Sequence, residues 1–227
     1  MERFSTVTFD CYGTLIDWEG GLGSFLYDLA VQNGEPDPPI GRALREQWEA
    51  IQFDLIQGPY QSYEAILAES LRQLCHERDY TWDEQLGVDL VRWMRTWQPF
   101  HDTKPALERV RAAGLRLVII SNTDRAIIAH SLRQLEVPFD DVITAEDCRA
   151  YKPSPTVFAQ ALDRIAVPAG QILHVGFGFK YDIGPAQGLG FKTAWINRNA
   201  EPGPGTEIPD YEWRDLWGLA EWAEAAP

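Results

Sequence analysis

A chain of 227 residues, 45% of them hydrophobic, can bury a real core as one large domain or as a core with an insertion. Its 34 Asp and Glu against 20 Lys and Arg leave a net charge of −14, which argues against a nucleic-acid or anionic-membrane surface, since both need clustered basic residues. A small-molecule substrate is the better expectation, and an anionic one would require a locally basic site. The three cysteines, Cys11, Cys75 and Cys148, are widely spaced and odd in number, so neither a disulfide framework nor a zinc site is indicated, and a reducing, cytoplasmic compartment fits. Residues 1–5 carry no long apolar run and no later segment approaches membrane-spanning length, so neither secretion nor membrane insertion is expected. A homodimer is left open.

In chain order, residues 4–9 alternate and are rich in β-branched and aromatic types, which suits a buried strand. Gly13 and Thr14 suit a turn that leaves Asp10 at the strand's carboxyl end, where ligand sites of open α/β sheets gather. A carboxylate so placed can attack an electrophilic carbon or phosphorus and form an ester that water later cleaves. The next convincing strand begins only near residue 116. Between them the spacing of apolar residues predicts helices over 40–57, 63–77 and 82–97, punctuated by Pro36, Pro38, Pro39, Gly58 and Pro59 and ended by Pro99. From residue 104 helix and strand alternate: helices over 105–113, 125–135 and 154–165, and strands over 115–121, 142–145 and 172–175. A further strand over 191–196 and a short one over 211–213 follow, with an exposed Pro/Gly loop at 201–209. The alternation argues for a doubly wound parallel sheet, an α/β fold with a helical insertion.

Four segments in order carry a more specific signal: Phe9-Asp10-Cys11-Tyr12-Gly13-Thr14-Leu15, Ile119-Ile120-Ser121-Asn122, Tyr151-Lys152-Pro153, and His174-Val175-Gly176-Phe177-Gly178-Phe179-Lys180-Tyr181-Asp182. Together they resemble the haloacid dehalogenase superfamily. The resemblance implies a Rossmann-like core of residues 1–15 and 98–227, with a helical cap of residues 16–97 inserted after the nucleophile loop. Phosphatases of that superfamily carry a second aspartate two places after the first, where this chain has Tyr12, and Mg²⁺-dependent members place an aspartate directly after the fourth-motif glycine, where it has Phe177. An aromatic ring supplies no hard oxygen ligand. The pattern is instead similar to the branch that hydrolyses 2-haloacids, which implies chemistry with no metal and no cofactor.

That resemblance assigns Asp10 as nucleophile, Thr14 and Lys152 as the groups that orient it, and Asp182 as the group that positions the hydrolytic water. It assigns Ser121 and the amides of the loop at Cys11 and Tyr12 to the substrate carboxylate, and Asn122, Arg45 and nearby rings, among them Tyr12 and Phe177, to the departing halide. From the residues alone, Ser121 and Asn122 read equally as helix caps, Asp182 as the cap of a helix starting at Ile183, and Cys11 as a small buried side chain. Arg45 could pair with Glu49 four residues on, as Arg42 could with Glu46, so spacing does not decide which arginine faces Asp10. Tyr63 and Phe179 are further candidates for an aromatic wall, and His174 reads as a satisfied core histidine. The chain departs from 2-haloacid dehalogenases at Gly176 and Gly178, where they carry Ser and Asn, and at Phe158, where they carry Tyr. Phosphate esters of small metabolites, fluoroacids and azetidine carboxylate are the alternative substrates.

Overall fold

The computed structural model describes residues 4–36 and 39–225. The expected turn at Pro38 and the reading of residues 1–3 fall outside them. Six strands form one parallel sheet in the order β3-β2-β1-β4-β5-β6: β1 Thr6–Phe9, β2 Arg116–Ser121, β3 Asp141–Thr144, β4 Ile172–Gly176, β5 Lys192–Ile196 and β6 Tyr211–Trp213. The first strand lies in the middle, with β2 on one side and β4 on the other, so the chain winds away in both directions from Asp10. A loop at that switch point opens into the crevice beyond the strand ends.

Every residue of β1 and β4 is buried, as a parallel sheet covered on both faces requires. Alternate side chains serve different layers. Val7, Phe9, Leu117 and Ile119 join the larger core cluster with Leu107, Val110 and Leu219, from α5 (Thr103–Ala112) and α10 (Leu216–Ala225). Val118, Ile120 and Ile172 instead join Val157, Phe158 and Ala161 of α8 (Pro155–Ile165). The remaining core-side helices are α6 (Arg125–Leu135), the short α7 (Ala145–Cys148) and α9 (Gly184–Gly188). The fold is therefore a Rossmann-like α/β sheet with helices on both faces.

Four helices, α1 (Trp18–Gln32), α2 (Ile40–Ile56), α3 (Tyr63–Glu77) and α4 (Glu84–Met94), intervene between β1 and β2. The segments that lead into and out of these helices run side by side: Ile16 bridges Pro99, Asp17 N–H donates to the Gln98 carbonyl (2.9 Å), and Phe100 N–H to that of Leu15 (3.1 Å). Side chains pin the helices down. The Asp124 carboxylate accepts from Glu64 N–H at the start of α3 (3.0 Å), and Tyr151 Oη donates to the Gln61 carbonyl (2.8 Å).

Three α-helices, α1, α7 and α10, lack a sequence-based expectation. α1 carries three glycines, which count against a helix, yet Asp17 caps it by accepting from Gly20 N–H (2.9 Å). Gly21 sits there for space, since a Cβ would lie 2.3 Å from the Trp97 indole. α10 is too short and too uniformly apolar to show a clear period. At residue 145 the expected strand ends one residue early, because Thr144 and Asp147 form a capping box that starts α7.

Candidate functional site

Asp10 follows β1, and its N–H donates to the Val175 carbonyl at 2.9 Å, so the residue leaves the sheet still hydrogen-bonded to β4. The loop then closes on itself. Leu15 and Ile16 N–H both reach the Cys11 carbonyl at 2.8 and 2.9 Å, and Gly13 takes φ of +100°, a conformation side chains resist. A side chain there would also meet Phe177 at 2.5 Å. The turn holds Thr14 beneath Asp10: Thr14 Oγ1 donates to Asp10 Oδ2 (3.0 Å) and accepts from Phe177 N–H (3.1 Å).

The other oxygen of Asp10 belongs to Lys152. Its ammonium, 1% exposed, donates to Asp10 Oδ1 (2.9 Å), Asp182 Oδ1 (2.6 Å) and the Ile120 carbonyl (3.0 Å). An ammonium has three donors, and all three are used. Lys152 is aimed by its own main chain, because the Asn122 side-chain amide donates to its carbonyl (2.9 Å) and accepts from its N–H (2.7 Å). Asp182 reaches the cluster from a single π-helical turn, Phe179–Ile183, after β4. It also accepts from His174 Nε2 (3.3 Å), whose Nδ1 lies 2.8 Å from Thr8 Oγ1. The Asp182 contact fixes the tautomer with the proton on Nε2, and Thr8 donates to Nδ1.

Two carboxylates and one ammonium are thus shut away from water together, and burial sorts them. It pushes the Asp10 carboxyl up to about 6 despite Lys152, with Asp182 adding to the rise. Burial would raise Asp182 as well, but Lys152 and His174 outweigh it and hold that carboxyl below its usual value. Burial likewise opposes the Lys152 charge, and the two carboxylates overcome it, so the ammonium titrates above its usual range. Burial lowers His174, which keeps it neutral. Asp10 therefore ionises near neutral pH while remaining poised as a weakly stabilised anion.

These groups open onto a small chamber of about 70 Å³. On the core side it is lined by Asp10, Lys152, Asp182, Ser121, Asn122 and Phe177; on the helical side by Trp48, Glu49, Gln52, Tyr63, Met94 and Trp97, with Tyr12, Trp18 and Tyr181 between. The Ser121 hydroxyl is buried and meets no hydrogen-bonding partner among the described residues. Tyr12 presents its ring and turns its hydroxyl to Ser131 Oγ (2.9 Å); burial drives its ionisation far up, so it is no base.

The structure thus brings Asp10, Thr14, Lys152, Asp182, Ser121, Asn122, Tyr12 and Phe177 to one place. It does not bring Arg45. That guanidinium pairs with Glu19 and lies 5.4 Å over the Trp18 ring, in a neighbouring surface pocket with Tyr27 and Asn199. It does not pair with Glu49, whereas Arg42 does pair with Glu46 (3.0 Å) on the exposed side of α2. Lys152 is the one cation lining the chamber among the described residues. Cys11 is fully buried in the core and does not line the chamber, and Phe179 packs edge-on against Trp195 (4.6 Å) instead. Asn122 spends its amide on Lys152, and Asp182 caps no helix by its side chain. Glu49, Gln52, Trp48 and Trp97 are lining residues without a sequence expectation. The signal for the α2 group was available in the spacing of Trp48, Glu49 and Gln52, which share one helical face.

A hard divalent cation such as Mg²⁺ does not fit beside Asp10. Phe177 offers no oxygen, both nearby carboxylates share the Lys152 ammonium, and the described residues contain no cluster of three or more His, Cys, Asp or Glu able to hold a metal.

Comparisons with known proteins agree with this geometry. Residues 4–190 match the model of the haloacid dehalogenase-like hydrolases. An (S)-2-haloacid dehalogenase of Pseudomonas putida is 28% identical over 232 residues, covering 98% of this chain and 97% of that protein. The haloacetate dehalogenase H-2 of a Moraxella species is 25% identical over 205 residues, covering 87% and 88%. Among solved structures, that of the L-2-haloacid dehalogenase RSc1362 superposes with a TM-score of 0.87 at 27% identity, over 99% of this chain and all of that one. With the family model spanning most of its length and a sheet that places four motifs around one carboxylate, the chain belongs to the haloacid dehalogenase-like hydrolases.

Proposed function

We propose that this chain hydrolyses the carbon–halogen bond of a short 2-haloalkanoic acid through an ester at Asp10, giving a 2-hydroxy acid. The observation that carries the reading is the Asp10 carboxylate, held by Lys152 and Thr14 on its two oxygens and facing a small, aromatic-lined chamber. An Asp10 oxygen attacks the α-carbon, the carbon–halogen bond breaks, and halide leaves with the electron pair. Water, oriented by Asp182, then attacks Cγ of Asp10. The bond from Cγ to the substrate oxygen breaks, the hydroxy acid departs, and a proton is released. Ser121, with its uncommitted hydroxyl, is the donor for the substrate carboxylate. Helices α1–α4 act as a cap domain, residues 16–97, over a core of 1–15 and 98–227.

The phosphatase alternative is disfavoured, because Tyr12 replaces the acid–base aspartate and its hydroxyl is engaged by Ser131. Fluoroacids remain within the proposed chemistry.

The test is a single turnover with enzyme in excess, in water enriched in heavy oxygen. The hydroxy acid from 2-chloropropanoate should emerge unlabelled while the peptide containing Asp10 gains the label, and Asp10→Asn should release no halide. Label in the product would reassign Asp10 from nucleophile to electrostatic support.

A further inference from the structure

Resting on the reading above, we propose that Glu49 makes the cap wall of this chamber a receptor for an ammonium group, so that the preferred substrates are short 2-substituted acids bearing an amine beyond the reacting carbon. Glu49 lines the chamber from α2, opposite the buried cluster, and Tyr63 and Tyr181 stand near both Glu49 and the carboxylates of the core side. A halide or a substrate carboxylate gains nothing from a second anion on that wall. The one cation of the chamber, Lys152, has spent all its donors on Asp10, Asp182 and the Ile120 carbonyl. An uncharged or purely anionic ligand would therefore leave Glu49 without a complement.

An ammonium group would supply one. The same wall offers Trp48, Trp97, Tyr63 and Tyr181, and a carboxylate set among aromatic faces is the ordinary chemistry of ammonium recognition. The neighbouring Gln52 is uncharged, which leaves Glu49 as the one anion of that wall among the described residues.

A rim ion pair with Lys180 is the competing role for Glu49. It is a weak one. The nitrogen lies 4.0 Å away, beyond hydrogen-bonding distance, and the Lys180 side chain is 48% exposed and leans on the Phe53 ring at 3.9 Å. The other charges that act on Glu49 are Arg45, which is committed to Glu19, and the anions Glu19 and Glu201. Burial raises the Glu49 carboxyl above its usual value, the condition of an acid that lacks a close cation.

The experiment is calorimetric binding of two product-like acids that differ only by an amine, lactate and 3-amino-2-hydroxypropanoate, to the full chain and to Glu49→Gln. With the Glu49 side chain 30% exposed, the pair is only partly desolvated; the amine-bearing acid should bind the wild type at least about fivefold more tightly, and Glu49→Gln should shrink that preference to about twofold or less. Glu49→Asp, which keeps the charge, should retain part of it. Equal affinity of the two acids for the wild type, no detectable binding of the amine-bearing one, or a preference that survives in Glu49→Gln, each overturns the proposal. Halide release from 2-chloropropanoate by the wild type is scored separately. Its absence beside an intact binding preference would refute the dehalogenation reading and leave the ammonium receptor standing.

Discussion

Replacing Lys152 by methionine, which keeps most of the volume and deletes the charge, should leave Asp10 and Asp182 buried together with no cation between them. The ammonium makes three hydrogen bonds at 2.6–3.0 Å, two of them to carboxylates, in a site 1% exposed. Breaking a buried pair by removing one partner costs about 3–5 kcal/mol. In a domain of this size each kcal/mol moves Tm by roughly 2–4 °C, so a loss of roughly 6–20 °C is expected near neutral pH. The pH dependence gives the sharper test. In the wild type Asp182 has a lowered carboxyl, so its stabilisation is present above its unfolded pKa and is lost as pH falls through the folded value. Asp10, raised from 3.8 to about 6, acts in the opposite sense and costs stability as pH rises through that interval. Without Lys152 both carboxyls lose the group that favours their charged forms, so both rise, and the variant takes up a proton on folding. The gap in Tm between wild type and Lys152→Met should therefore widen from about pH 5 to about pH 7.5. Thermal unfolding followed by circular dichroism across that range measures it. A gap below about 3 °C at pH 7.5, or one that narrows as pH rises, would refute the idea that Lys152 neutralises a buried carboxylate pair.

On the proposed route the Asp10 carboxyl must be ionised to attack, so kcat/KM for the free enzyme should fall on the acid side with a midpoint near 6, and Thr14→Val should move that limb upward, because the lost hydrogen bond favoured the charged form. An unmoved limb in Thr14→Val would detach Thr14 from Asp10. Gly21→Ala should destabilise by about 1–3 kcal/mol although alanine is the better helix former, because its Cβ would sit 2.3 Å from the Trp97 indole; a gain in Tm would show that the indole yields freely.

The strand ends made the core half of the site readable. Asp10 and Ser121 stand at the carboxyl ends of β1 and β2, Asp182 on the turn after β4 and Lys152 in the loop beyond β3 and the short α7, and a parallel sheet gathers such positions whatever lies between them in sequence. Thr14 was readable for a related reason, since a tight turn four residues long folds its hydroxyl back on Asp10. The helical half was harder. On α2, Arg45, Glu49 and Gln52 recur at helical spacing and share a stripe, but only the latter two line the chamber, because Arg45 is drawn out by Glu19 from α1, a helix whose glycines hid it. Which end of a stripe enters a cavity depends on the tilt of the helix, and tilt is set by packing that no local pattern records. His174 was readable as buried, yet its partner Asp182 comes from a π-helical turn, whose register a period of 3.6 does not anticipate.

The division of labour on Asp10 also bears on which oxygen reacts. Oδ1 receives the Lys152 ammonium and Oδ2 the Thr14 hydroxyl. On the proposed route one oxygen becomes the ester oxygen bonded to the substrate carbon, and the other becomes the carbonyl oxygen on which negative charge develops when water attacks. Attack through Oδ2 leaves the stronger, charged donor on that carbonyl, 2.9 Å away before any rearrangement. Charge-assisted donors aimed where charge develops are the ones that lower a barrier. Attack through Oδ1 would surrender that donor to an oxygen losing its charge and leave the developing oxyanion to a neutral hydroxyl. Formation of an ester at Asp10 would also remove its anion from the cluster, leaving Lys152 balanced by Asp182 alone and so strengthening its hold on the carboxylate that the proposal assigns to orient the water. On the proposed route the same ammonium would serve both steps, keeping the nucleophile ionised in the first and polarising the ester it becomes in the second.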